Sequence, residues 1–129
     1  MKLEKLKIDL EKILLKLEEV LSLEKSEINR DSAIKRFEIA FDITWKTLKT
    51  YLEEKFGIIC KSAKGCIREA FTQGLIEYDD YWLKIVDLRN STVHIYSEYM
   101  ADEVYEELPK VFVYLKTLYN KMREWEKEI

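Results

Sequence analysis

The sequence predicts an all-α protein, an up-and-down helical bundle of about five helices, and three observations carry that prediction. Only 3 glycines and 1 proline occur in 129 residues, too few for the turns of a β-sandwich. Hydrophobic residues make up 47% and charged residues 36%, the balance of long amphipathic helices. Apolar side chains recur every three or four positions through most of the chain, which is the helical period. The length fits one domain over residues 1–129, large enough to bury a core.

Leu3, Leu6, Leu10, Ile13, Leu14, Leu17, Val20 and Leu21 place a first helix of about 20 residues near the start. Ser26 to Asp31 supplies capping residues and a break. A second helix is expected from about Arg30 to Lys55, with Ala33, Phe37, Phe41, Trp45, Leu48 and Leu52 as its stripe and Gly57 as its stop. After the short apolar connector Ile58 to Cys60, Ser62 to Gln73 reads as a third helix closed by Gly74. Asp79 or Asp80 caps a fourth helix carrying Trp82, Ile85 and Val86. The last helix is expected from near Ser97 to about Lys127, with Ala101, Val104, Tyr105, Leu108, Phe112, Leu115 and Leu118 inward. Acidic Glu98, Asp102 and Glu103 begin it, and basic Lys121, Arg123 and Lys127 end it, which suits the helix dipole. Pro109 falls inside this pattern and is expected to kink it.

Composition also excludes several classes. With 22 basic and 25 acidic residues the net charge is −3, so any RNA contact must come from a local patch or an oligomeric cleft. The charged N-terminal stretch lacks the apolar core of a signal peptide, and no run approaches the roughly 20 apolar residues that span a bilayer. Cys60 and Cys66 form no CxxC or metal-ligand spacing and are expected to be buried free thiols, as suits a reducing cytoplasm.

Chemistry concentrates in Arg89-Asn90-Ser91-Thr92-Val93-His94-Ile95-Tyr96, which holds the only histidine. Steps of three and four from Trp82, Ile85 and Val86 put Arg89 on the inward stripe, where a guanidinium needs a carboxylate, a carbonyl or a bound anion. Glu38 and Asp42, one helical turn apart, are the candidate partners within the protein; they could hold Arg89 or Lys46. His94 lies five residues on, off that face unless the helix loosens at Ser91-Thr92. Asn90 shares the face of His94. In an extended segment His94 and Tyr96 point the same way. Taken alone, the histidine also reads as a satisfied helix-end residue and the tyrosine as one of 8 that pack at junctions. Lys61, Lys64 and Arg68, at spacings of three and four, form a second candidate, a phosphate or RNA contact near a helix N-terminus or else an ordinary solvated face.

Arg89 to His94 matches the R-x4-6-H pattern of the HEPN superfamily, and with Tyr96 it takes the R-x4-H-x-Y form. Arg36-Phe37-Glu38, Trp45-Lys46-Thr47-Leu48-Lys49, Arg68-Glu69-Ala70-Phe71 and Gly74-Leu75-Ile76 follow the order of one HEPN subgroup. The chain thus resembles the nucleotidyltransferase substrate-binding proteins over most of its length. Asp42 stands where Glu is usual, and Val93 where a small polar residue is usual.

The resemblance implies a helical homodimer encoded beside a minimal nucleotidyltransferase, acting on RNA in the cytoplasm with no metal, no cofactor and no membrane. In such ribonucleases the RNA 2′-hydroxyl attacks the adjacent phosphate in a cleft where two copies of the motif meet. Carried over, His94 is the general acid/base, Arg89 grips the phosphate, and Asn90 orients one or the other. In toxin–antitoxin pairs of this kind the nucleotidyltransferase silences the toxin by AMP transfer to the tyrosine of the motif, here Tyr96. The alternative implied by the subgroup's name is a non-catalytic subunit that presents substrate to a separate nucleotidyltransferase.

Overall fold

A computed structural model describes residues 2–125. Five α-helices follow in order: α1 (Lys2–Leu21), α2 (Glu27–Phe56), α3 (Ala63–Thr72), α4 (Tyr81–Ser91) and α5 (Glu98–Trp125), with a 3-10 turn at Thr92–His94 between the last two. No strand occurs among the described residues.

Each boundary has a local cause. Several residues between Ser26 and Asp31 could have capped α2, and Ser26 does so: its hydroxyl accepts the Asn29 N–H at 3.0 Å, which starts the helix at Glu27, ahead of the expected Arg30. At the far end Gly57 adopts φ 67, and its N–H donates to the Glu53 carbonyl at 3.0 Å. Ser62 repeats the cap for α3 through the Gly65 N–H. For α4 the side-chain cap comes from Asp79, whose carboxylate accepts the Tyr81 N–H at 2.9 Å. Ser97 accepts the Met100 N–H at the start of α5. That helix runs on through Pro109, which is exposed, so water can meet the carbonyl left without its N–H donor.

Side-chain pairs across helices fix the directions. Arg30 of α2 meets Glu98 and Asp102 at the start of α5, while Tyr51 stacks on Trp125 at the other end, so α2 and α5 run the same way. Arg36, early in α2, bonds the Lys16 carbonyl late in α1, so α1 runs opposite to α2. Arg89 and Thr92 late in α4 meet Asp42 and Glu38, and Tyr114 of α5 meets Asp79 just before α4, so α4 opposes both. The bundle is therefore α1 down, α2 up, α4 down and α5 up, with short α3 packed against α2 and α4 in the crossover.

The core is the shared apolar stripe. Leu10, Leu14 and Leu17 of α1, Phe37, Phe41 and Leu48 of α2, Ile85 of α4 and Leu108, Leu115 and Leu118 of α5 are all essentially inaccessible. On α5, Val111 and Met122 are buried, whereas Tyr105 and Phe112 are only half-buried.

The cysteines differ from the expectation of free thiols: Cys60 and Cys66 are joined in a disulfide with a Cα separation of 5.2 Å. After the left-handed Gly57 the connector returns to pack on Leu52, which brings Cys60 beside the first turn of α3. That apposition comes from the turn, and no spacing rule for adjacent cysteines reports it.

Candidate functional site

The site is built where α4 ends. Arg89 does lie on the inward side, and both expected acids reach it. Its Nε and Nη2 donate to the two oxygens of Asp42 at 3.1 and 3.0 Å, a bidentate pair. Nη1 donates to Glu38 Oε2 at 3.2 Å and to Thr92 Oγ1 at 3.0 Å. The Asp42 carboxylate, ahead of the opposing effect of burial, raises the proton affinity of Arg89 and keeps it charged. Of the five guanidinium N–H groups, these contacts leave one on Nη2 for a ligand.

Thr92 was not singled out from sequence. It is buried, its hydroxyl donates to Glu38 at 2.7 Å, and it opens the 3-10 turn that carries His94. The helix thus loosens at the Ser91-Thr92 step, the condition under which His94 could leave the phase set by Arg89. Ile95 is extended, with φ −75 and ψ 114. His94 and Asn90 are exposed, and Tyr96 retains 85% of its accessible surface. Val93 and Tyr99, at 70% and 73%, make the same segment an apolar ridge facing outward.

A groove of about 610 Å³ opens beside Arg89, lined among others by Asn90, Asp42, Trp45, Lys64 and Val93. His94 and Tyr96 are not among its lining residues, so this groove does not enclose all of the motif. The basic trio is only partly assembled. Lys61 precedes the Ser62 cap and stands outside α3, Lys64 lines the groove and pairs with Asp87 at 2.7 Å, and Arg68 is exposed outside it. Lys46 is exposed and makes no pair with Glu38 or Asp42, both of which turn to Arg89. Among the described residues no group of three or more His, Cys, Asp or Glu could hold a metal ion. No helix among them is long and apolar enough to cross a membrane.

An antiparallel helical bundle whose inward arginine is followed, after a helix break, by an exposed histidine and tyrosine defines a protein of the HEPN class. The chain belongs to the nucleotidyltransferase substrate-binding family: the family model described as "Nucleotidyltransferase substrate binding protein like" matches residues 4–124. It is similar to a protein of Thermus thermophilus of known crystal structure, with 39% identity and a TM-score of 0.80, covering 88% of this chain and 98% of that one. The fold is also that of HI0074 from Haemophilus influenzae, described as a substrate binding domain of a nucleotidyltransferase, with a TM-score of 0.67 at 24% identity over 94% of this chain and 96% of that one. A relative named "Probable ribonuclease HepT", also from Haemophilus influenzae, is 28% identical over 96 residues, 71% of this chain. That match spans 66% of the relative's own length.

Proposed function

We propose that the protein is a metal-independent ribonuclease toxin of the HEPN type, acting as a homodimer and silenced by AMP transfer to Tyr96 from a partner minimal nucleotidyltransferase. The observation that carries this reading is the helix break at Ser91-Thr92, where Thr92 bonds Arg89 at the edge of the groove and His94 is exposed just beyond it. The similarity to a relative named a probable ribonuclease supports it.

In this reading a neutral His94 takes the proton of the RNA 2′-hydroxyl. The 2′-oxygen attacks the adjacent phosphorus, and the P–O5′ bond breaks to leave a cyclic phosphate. A protonated imidazole returns a proton to the departing 5′-oxygen. One chain has one histidine, so base and acid are the His94 side chains of two copies. The apolar ridge of Val93, Tyr96 and Tyr99 beside the motif supports a face that meets a second copy. The remaining Nη2 N–H of Arg89 steadies the phosphate, and exposed Asn90 orients it or His94. AMP on exposed Tyr96 would add a phosphodiester charge two residues from His94 and repel the RNA backbone.

The family description supports a second reading, a non-catalytic subunit presenting substrate to the nucleotidyltransferase. One observation favours it: Arg89 is already engaged by Asp42 and Glu38, a cluster of net negative charge. Expression of the protein alone, with growth and RNA integrity followed beside His94→Ala, decides between them. Growth arrest relieved by the substitution is expected; a harmless wild-type protein would replace the ribonuclease with the binding subunit. Co-expression with the nucleotidyltransferase should add the mass of AMP to the Tyr96 peptide and leave Tyr96→Phe unmodified.

A further inference from the structure

The groove beside Arg89 does not end at Trp45. A second groove of about 240 Å³ adjoins the same indole and is lined by Lys2 and Leu6 of α1 together with Lys46, Lys49 and Glu53 of α2. Trp45 is the residue the two share. Along both grooves the lining cations are Lys2, Lys46, Lys49, Lys64 and Arg89, opposed by the carboxylates of Asp42 and Glu53. With Glu38 paired to Arg89 and Asp87 paired to Lys64 counted as well, five cations face four carboxylates, and the unpaired excess lies at Lys2, Lys46 and Lys49 in a chain whose net charge is −3. Lys49 Nζ sits 5.9 Å from the centre of the indole ring. Trp82 and Trp125 are each 5% exposed and belong to the core, whereas Trp45 is half-buried and lines both grooves.

We infer that this strip is a binding track for single-stranded RNA, running from Arg89 across Trp45 to Lys46, Lys49 and Lys2. It rests on the reading of the protein as an RNA-acting one and specifies how the strand outside the cleavage point is held. An aromatic face flanked by lysines accepts any base by stacking and tracks the phosphates by charge. Trp45 stacks one base, and Lys46 and Lys49 hold flanking phosphates. The track explains how an acidic protein grips a polyanion: the cations are local, and their spacing along α2 follows one helix face past the indole.

The test uses a short labelled single-stranded RNA made non-cleavable by 2′-O-methyl groups, titrated into the whole protein with anisotropy and tryptophan fluorescence read together. Wild type should bind with quenching of Trp45, and Trp45→Leu should weaken binding about 5- to 150-fold, the range for one lost base stack. Trp45→Phe keeps an aromatic face and should recover most of the affinity. Lys46→Gln with Lys49→Gln, both outside the core, should weaken binding and lower the salt slope by about 1.4, for two phosphate contacts at about 0.7 each on a single strand. Unchanged affinity and slope in the lysine variant, or binding without quenching, would overturn the track. So would lysine and tryptophan variants that lose the nucleotidyltransferase while still binding RNA as wild type does. Binding is read without cleavage, so a protein that binds RNA through Trp45 yet cuts nothing keeps the track and loses the ribonuclease. A protein that cuts RNA with the same KM in all variants keeps the ribonuclease and loses the track.

Discussion

Replacing Thr92 by Val isolates one atom of the Arg89 cluster. The residue is 8% exposed, and its hydroxyl donates to Glu38 at 2.7 Å while receiving Arg89 Nη1 at 3.0 Å. Valine keeps the shape and removes both bonds, together with the hydroxyl's 2.8 Å contact to the Arg89 carbonyl, which competes with Glu38 for the same proton. A hydrogen bond to a charged group contributes about 1.5–3 kcal/mol, and an orphaned partner adds its desolvation. The Glu38 and Arg89 side chains retain 19% and 22% of their surface, so water repairs part of the loss. The expected cost is therefore at the lower end, about 1.5 kcal/mol, or a fall in Tm of about 5 °C for a domain between the usual small and medium sizes. Urea unfolding is the assay, because guanidinium chloride would screen the ion pairs. A double-mutant cycle with Glu38→Gln separates the hydroxyl–carboxylate bond from packing and should show a coupling of at least about 0.5 kcal/mol with unchanged m. Additive single effects would refute the bridge, and with it the idea that Thr92 ties the 3-10 turn to the arginine.

Other outcomes follow from the same geometry. Gly57 has φ 67 with open space where a Cβ would sit, so Gly57→Ala should destabilise through backbone strain alone, by about 1 kcal/mol in urea unfolding. The disulfide predicts that denatured, unreduced protein takes up no alkylating label and that reduction exposes two thiols, seen by mass. Closing so short a loop contributes about 2 kcal/mol in the chain-entropy account, which thermal unfolding with and without reductant would read. Hydrogen bonds from Arg30 and Lys25 hold the Asp102 carboxyl below its usual range. Its stabilising contribution is present above the unfolded carboxylate range and lost as pH falls through the lower folded value, so Asp102→Asn should flatten the acid limb of the stability curve. At the other extreme, burial and the bond to Glu11 push Tyr119 up to about 12. That contribution is complete below the unfolded value of about 10 and lost between there and 12, so Tyr119→Phe should shift alkaline unfolding in that window.

The helices were legible because each buries a stripe at the helical period, and the caps Ser62, Gly57 and Asp79 carry their own chemistry. Arg89 and its acids were legible for the same reason: an arginine phased with Trp82, Ile85 and Val86 must be neutralised, and α2 offers two carboxylates one turn apart. Three things were not legible. The start of α2 depended on which of several capping residues met an N–H in the right place, and Ser26 did. The disulfide depended on where the chain went after Gly57. The groove of Trp45 and the lysines depends on the N-terminal turn of α1 lying across α2, a juxtaposition of residues about forty positions apart or more. In α2 itself, Lys46 and Lys49 look like solvated charges.

Glu38 and Asp42 explain why stability and the site are linked. Two carboxylates at i and i+4 on one helix repel, by a few tenths of a kcal/mol when exposed and more as water is withdrawn. Arg89 lies between them and satisfies both, so each acid is tolerable because of the arginine and the arginine because of the acids. The arrangement holds the guanidinium plane in one orientation before any ligand arrives, at the cost of offsetting its charge. In the proposed RNA-binding track, phosphate affinity comes from cations without carboxylate partners, Lys46 and Lys49 along α2 past Trp45, more than from the arginine cluster. An arginine fixed by two carboxylates for geometry and lysines without carboxylate partners for attraction is the division of labour that the proposed track assigns: one phosphate placed accurately, its neighbours held by charge.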